Sequence, residues 1–134
     1  MRVSSLTSLD LSECDNLHGT ALSFIAQHCT SLTTLNISRC HQLTDAELSL
    51  LGTSDSNPNL YPNPNKLTHL NLSMVPMNFD ITDEGIATIT LASPNLITLN
   101  IAGCMSIRYV HMCLFVASSY SLNTTRYTII AITL

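Results

Sequence analysis

The chain has 134 residues and a net charge of −4, with only 10% charged and 5% aromatic residues. That length bounds it to one domain with a modest, aliphatic core, and the absence of a basic stripe argues against nucleic acid or an anionic membrane as partner. The longest nearly apolar stretch, Tyr109 to Ala117, falls well short of the roughly twenty residues of a bilayer crossing.

From the N-terminus, Leu6-Thr7-Ser8-Leu9-Asp10-Leu11 alternates apolar and polar residues, the period of a half-buried strand. Leu17, Leu22 and Ile25 follow at helical spacing. The strand phrase returns as Leu32-Thr33-Thr34-Leu35-Asn36-Ile37, and Leu43, Leu48 and Leu51 then mark a second helix. Its start carries Thr44 and Glu47, the pattern of a capping box. Gly52 to Asn65, rich in Asn and Pro, reads as a loop inserted between that helix and the next strand.

Leu67-Thr68-His69-Leu70-Asn71-Leu72 is the third strand, and Ile81, Ile86 and Ile89 after Thr82-Asp83 form the third helix. Between them, Met74 to Asp80 is slightly enlarged on the opposite rim. The fourth unit has Leu96-Ile97-Thr98-Leu99-Asn100-Ile101, then Ile107, Met112 and Phe115. Beyond Leu122 the phrase decays, and the uncharged segment from Tyr127 to Leu134 is expected to add a degenerate last strand. The organisation is one α/β domain over 1–134, with repeats 6–31, 32–66, 67–95 and 96–121 and a tail 122–134. No unit can bury its apolar face alone, so the units must stack.

Cys14, Cys40 and Cys104 occupy one phase of the repeat, and Cys29 stands three residues before Leu32. With the Leu-x-x-Leu-x-Leu cores and the Ile/Leu-Thr-Asp helix starts, these residues resemble the cysteine-containing class of leucine-rich repeats. The chain departs from that pattern at Val75, which replaces the repeat cysteine, and at His18-Gly19 and Arg108-Tyr109, which replace Thr-Asp. The resemblance implies a curved solenoid, with parallel strands on the concave side and helices on the convex side. It further implies kinship with F-box/leucine-rich-repeat proteins, the substrate receptors of SCF-type ubiquitin ligases. The first repeat begins at Leu6, so SCF components are expected only through an F-box outside this chain. The alternative is a stand-alone repeat scaffold with no ligase role.

A repeat of this kind specifies a recognition surface rather than a reaction, and a protein is the expected partner, with no small-molecule substrate. Outward-pointing strand residues form the first candidate surface: Ser8, Asp10 and Ser12; Thr34, Asn36 and Ser38; His69, Asn71 and Ser73; Thr98, Asn100 and Ala102. Stacking puts Asp10, Asn36, Asn71 and Asn100 in one column, open to a partner or closed by hydrogen bonds between neighbours. The second candidate is the rim segment with Met74, Met77 and Phe79, an adaptable apolar anchor.

Phosphate-binding glycine loops, His-Glu-x-x-His and Gly-x-Ser-x-Gly are all missing from the sequence. Neither catalytic residues nor a cofactor is therefore expected. The cysteines have no Cys-x-x-Cys pair to suggest a structural metal. Their repeat phase instead suggests reduced, buried thiols in a cytoplasmic or nuclear protein. The sequons at Asn36, Asn71 and Asn123 carry little weight, because the first two fall in predicted strands. Terminal units without a polar outer face predict marginal stability or self-association.

Overall fold

A computed structural model describes residues 5–51, 66–74, 81–104, 106–107 and 128–130. The elements follow as β1 (Ser8–Asp10), α1 (Gly19–His28), β2 (Thr34–Asn36), α2 (Asp45–Ser49), β3 (His69–Asn71), α3 (Asp83–Ala92), β4 (Thr98–Asn100) and β5 (Thr128–Ile130). The five strands form one parallel sheet in chain order. Its register puts Leu9 opposite Leu35, Leu35 opposite Leu70, Leu70 opposite Leu99 and Leu99 opposite Ile129. The last pair gives the expected final strand. The helix expected around Met112 and Phe115 and the loop 52–65 lie outside the described residues.

The core is a single aliphatic cluster between sheet and helices. Leu35, Leu70 and Leu99 enter it from the strands, and Leu22, Leu48, Ile86 and Ile89 from the helices. Burying such a side chain contributes about 1.5–3 kcal/mol, so stacking supplies what no isolated unit has. Leu6, Leu9 and Leu11 of the first coil are only half-buried, whereas Leu32, Leu35 and Ile37 are buried.

Each of β1 to β4 leaves the sheet through a turn that holds a left-handed residue. The four positions are Glu13 (φ 61°), Arg39 (φ 57°), Met74 (φ 58°) and Gly103 (φ 77°). Only the last uses glycine, the residue that adopts this conformation without steric cost.

The helix starts differ between units. Thr44 and Glu47 of α2 form the expected capping box: Glu47 N–H donates to Thr44 Oγ1, and Thr44 N–H and hydroxyl donate to the Glu47 carboxylate. His18 of α1 supplies no side-chain cap. At α3 the N-cap is Thr82, but the position three residues on is Gly85 and has no side chain to return the bond. The carboxylate comes instead from α2. Asp45 Oδ1 accepts from Thr82 N–H at 2.8 Å, and Asp45 Oδ2 accepts from Thr82 Oγ1 at 2.6 Å.

The equal-phase cysteines do not share one environment. Cys40 is fully buried, Cys104 half-buried and Cys14 exposed. Cys40 Sγ donates to Leu11 O and Cys104 Sγ to Leu72 O, both at 3.2 Å. Each of these two thiols therefore ties its coil to the one before. Cys14 lies in the edge coil, which corrects the expectation of a common buried role.

Candidate protein-binding face

The strand register lines up two rows of side chains on the sheet face turned away from the helices. One row is Ser8, Thr34, His69 and Thr98; the other is Asp10, Asn36, Asn71 and Asn100.

The second row is occupied with holding its own turns. Asp10 Oδ1 accepts from Ser12 N–H at 2.9 Å, Asn36 Oδ1 from Ser38 N–H at 3.2 Å, Asn71 Oδ1 from Ser73 N–H at 3.0 Å and Asn100 Oδ1 from Ala102 N–H at 3.1 Å. A short side-chain oxygen bonding backbone two residues on is why Asx residues recur there. One rung runs between coils: Asn36 Nδ2 donates to Asp10 Oδ2 at 3.0 Å. Bonds from the Ser12 hydroxyl, then its N–H, then the Asn36 amide hold the Asp10 carboxyl below the usual carboxylate range.

Ser38 differs from its expected outward, accessible position. It is buried, and its hydroxyl donates to Asn36 Oδ1 at 2.8 Å. The strand ends at Asn36, and the turn then draws Ser38 inward. Ser12 and Ser73 are half-buried.

The first row is more available. Ser8 and His69 are exposed, and Thr34 and Thr98 are half-buried. None of them closes a turn; His69 Nδ1 meets the Thr68 hydroxyl at 2.8 Å. On the rim, Arg39 Nη1 pairs with Glu13 Oε1 at 2.6 Å. Met74, next in that phase, is 54% exposed. Met77 and Phe79 lie outside the described residues.

Sequence reasoning missed Phe24, which is 49% exposed. It stacks on His28 with ring centroids 4.2 Å apart. With Gly19, Thr20, Ser23, Gln27 and Leu50 it lines a shallow groove. The signal was available, since Phe24 lies beside Leu22 and Ile25 but off their buried stripe.

Among the described residues no group of three or more His, Cys, Asp or Glu side chains converges to hold a metal. His41 Nε2 lies 3.4 Å from Asp15 Oδ1, both exposed. No helix among those residues is long and apolar enough to cross a membrane.

A family model described as leucine-rich repeat matches residues 4–26 and 28–51, which hold the first two coils. No curated protein matches the chain. The matched repeats, the parallel sheet and the helices together make the fold an α/β leucine-rich-repeat solenoid.

Proposed function

We propose that this leucine-rich-repeat solenoid is a protein-interaction module that takes its partner on the sheet face. The observation that supports the reading most is the division of labour between the two rows. Asp10, Asn36, Asn71 and Asn100 hold the turns, while Ser8, Thr34, His69 and Thr98 stand beside them with no such duty. A partner laid across the coils meets an uncharged polar strip on a backbone already paired, a surface that recognises protein rather than phosphate.

Within that reading, the partner is the substrate of an SCF-type ubiquitin ligase, and the chain supplies recognition but no catalytic group. The support is the kinship of the repeat class, an argument by analogy. Thiols of Cys40 and Cys104 that must stay protonated to donate favour a reducing compartment, the cytoplasm or nucleus.

The test is affinity capture from cells with the wild-type chain and with Thr34→Arg and His69→Arg. These substitutions add bulk and charge to the face without removing a turn bond. Loss of the captured proteins at unchanged melting temperature is expected; capture at wild-type levels would sink the sheet-face reading. For the ligase role, a cullin-adaptor protein is expected to co-purify with the full-length gene product. Its absence, with the captured partners' lifetimes unaltered, would leave a scaffold instead.

A further inference from the structure

The three middle strand segments, 32–40, 66–74 and 96–104, contain no Asp or Glu, although the chain carries nine acidic residues and a net charge of −4. Their cations are Arg39 and Lys66, and His69 is the further residue there that can gain a positive charge. Arg39 is paired with Glu13 of the first coil. Lys66 is exposed and opens the coil that carries His69. These coils therefore hold no group that would repel an acid.

The hydrogen bonds around His69 fix which ring nitrogen meets a partner. The Thr33 hydroxyl donates to Thr7 O at 3.0 Å, and in the next coil the Thr68 hydroxyl donates to Thr33 O at 3.1 Å. With its proton directed there, Thr68 Oγ1 is the acceptor in its 2.8 Å contact with His69 Nδ1. The ring proton is then on Nδ1, and Nε2 is the basic atom. Thr34 and Thr98 flank His69 in the register, each one strand away, about 4.8 Å. Among the described residues neither hydroxyl has a hydrogen-bond partner.

A protonated Nε2 and these two hydroxyls make three donors around one position over β3. Among the described strands, β2, β4 and β5 contribute no titratable group. Asp10 of β1 lies two strands from His69, and its carboxylate is engaged by Ser12 and Asn36. The helices lie behind the sheet.

We infer that the sheet face takes an Asp or Glu side chain of its protein partner at His69, the carboxylate accepting from Nε2 and from the Thr34 or Thr98 hydroxyl. This rests on the sheet-face reading and narrows it to an acidic segment. Charge-assisted bonds are roughly twice as strong as neutral ones, and histidine takes up its proton within the physiological range. Binding the carboxylate therefore draws a proton onto the ring, and the complex tightens as pH falls.

A random peptide library displayed on phage and panned against the chain at pH 6 tests this. Clones carrying Asp or Glu are expected to dominate, and changing that acid to Asn or Gln should abolish binding. Affinity should fall by about tenfold from pH 6 to pH 8. His69→Gln, which keeps a neutral polar side chain, should bind weakly and equally at both values. Thr34→Val with Thr98→Val should weaken binding and keep its pH dependence. Circular dichroism and melting confirm the fold of each variant. Thr34→Trp, which adds bulk without charge, reports whether a clone sits on the sheet face at all. Clones blocked by Thr34→Trp but lacking a carboxylate, or bound equally at pH 6 and pH 8, would overturn the inference and leave the sheet face as the binding surface. Clones indifferent to Thr34→Trp would overturn both, and panning that enriches no acidic clone would overturn the inference.

Discussion

The Asp45 carboxylate occupies the space that a side chain on Gly85 would fill. A Cβ built on Gly85 meets Asp45 Oδ1 and lies 2.8 Å from Asp45 Cγ. From there Asp45 caps Thr82 of the next coil. The preceding interface has the opposite arrangement: Gly19 leaves room for Glu47, whose Cγ lies 3.1 Å from a Cβ built on Gly19. One carboxylate serves each of the α2 and α3 starts. At Gly85 glycine stands where the neighbour's carboxylate would collide; at Gly19 the tightest neighbour is Leu50 Cδ1, 2.8 Å from a built Cβ.

Asp45→Ala is therefore expected to cost about 1–2 kcal/mol, the range of a lost helix cap. Gly85→Ala, which on helix propensity alone would gain about 1 kcal/mol, is expected to destabilise instead. The pair Asp45→Gly with Gly85→Glu recreates the Gly19–Glu47 arrangement and should recover most of the loss. Urea unfolding of the singles and the double decides this, and strict additivity would refute the coupling.

Burial pushes the thiols of Cys29 and Cys40 above the ordinary cysteine pKa. A raised folded-state pKa means the contribution is fully present below the unfolded thiol's pKa, about 8.5, and is lost as pH rises through the folded value. Stability should thus decline above about pH 8. Cys40→Ala should flatten that decline while lowering stability near pH 7, because Leu11 O loses its thiol donor. Melting temperature against pH for both proteins is the measurement.

Ser93 is buried, and its hydroxyl has no partner among the described residues. An unsatisfied buried hydroxyl costs about 1–3 kcal/mol. Ser93→Ala should therefore raise stability in a chemical denaturation, whereas a loss of more than about 1 kcal/mol would reveal a bond.

Met74 separates stability from recognition. Relief of its left-handed backbone by Met74→Gly is worth about 1–2 kcal/mol, and the same change removes the exposed apolar side chain at the rim. The variant should melt higher, and it should bind less of any partner that uses the rim. Gly103→Ala should destabilise, since its Cβ would meet Met74 Sδ at 2.7 Å on top of the φ strain.

The strands, their register and the buried stripes of the helices were legible because the Leu-x-x-Leu-x-Leu phrase states two periodicities at once. The capping box at Thr44 was legible for the same reason, since both partners lie in one short segment. The cap on Thr82 was not, because its carboxylate comes from 37 residues away. Nor was the inward turn of Ser38: alternation predicts exposure only while the strand lasts. The column at Asp10, Asn36, Asn71 and Asn100 was visible as a column. Its role at the turns depends on side-chain direction, which the letters do not carry.

The strands keep step although the chain between Leu35 and Leu70 is longer than that between Leu9 and Leu35. Spacing along the chain and spacing in the sheet are therefore independent variables. Evolution, or an engineer, can lengthen the segment between two coils without shifting the register of the sheet face. Between α2 and β3 the chain already carries such added length, and β2 and β3 still pair residue for residue.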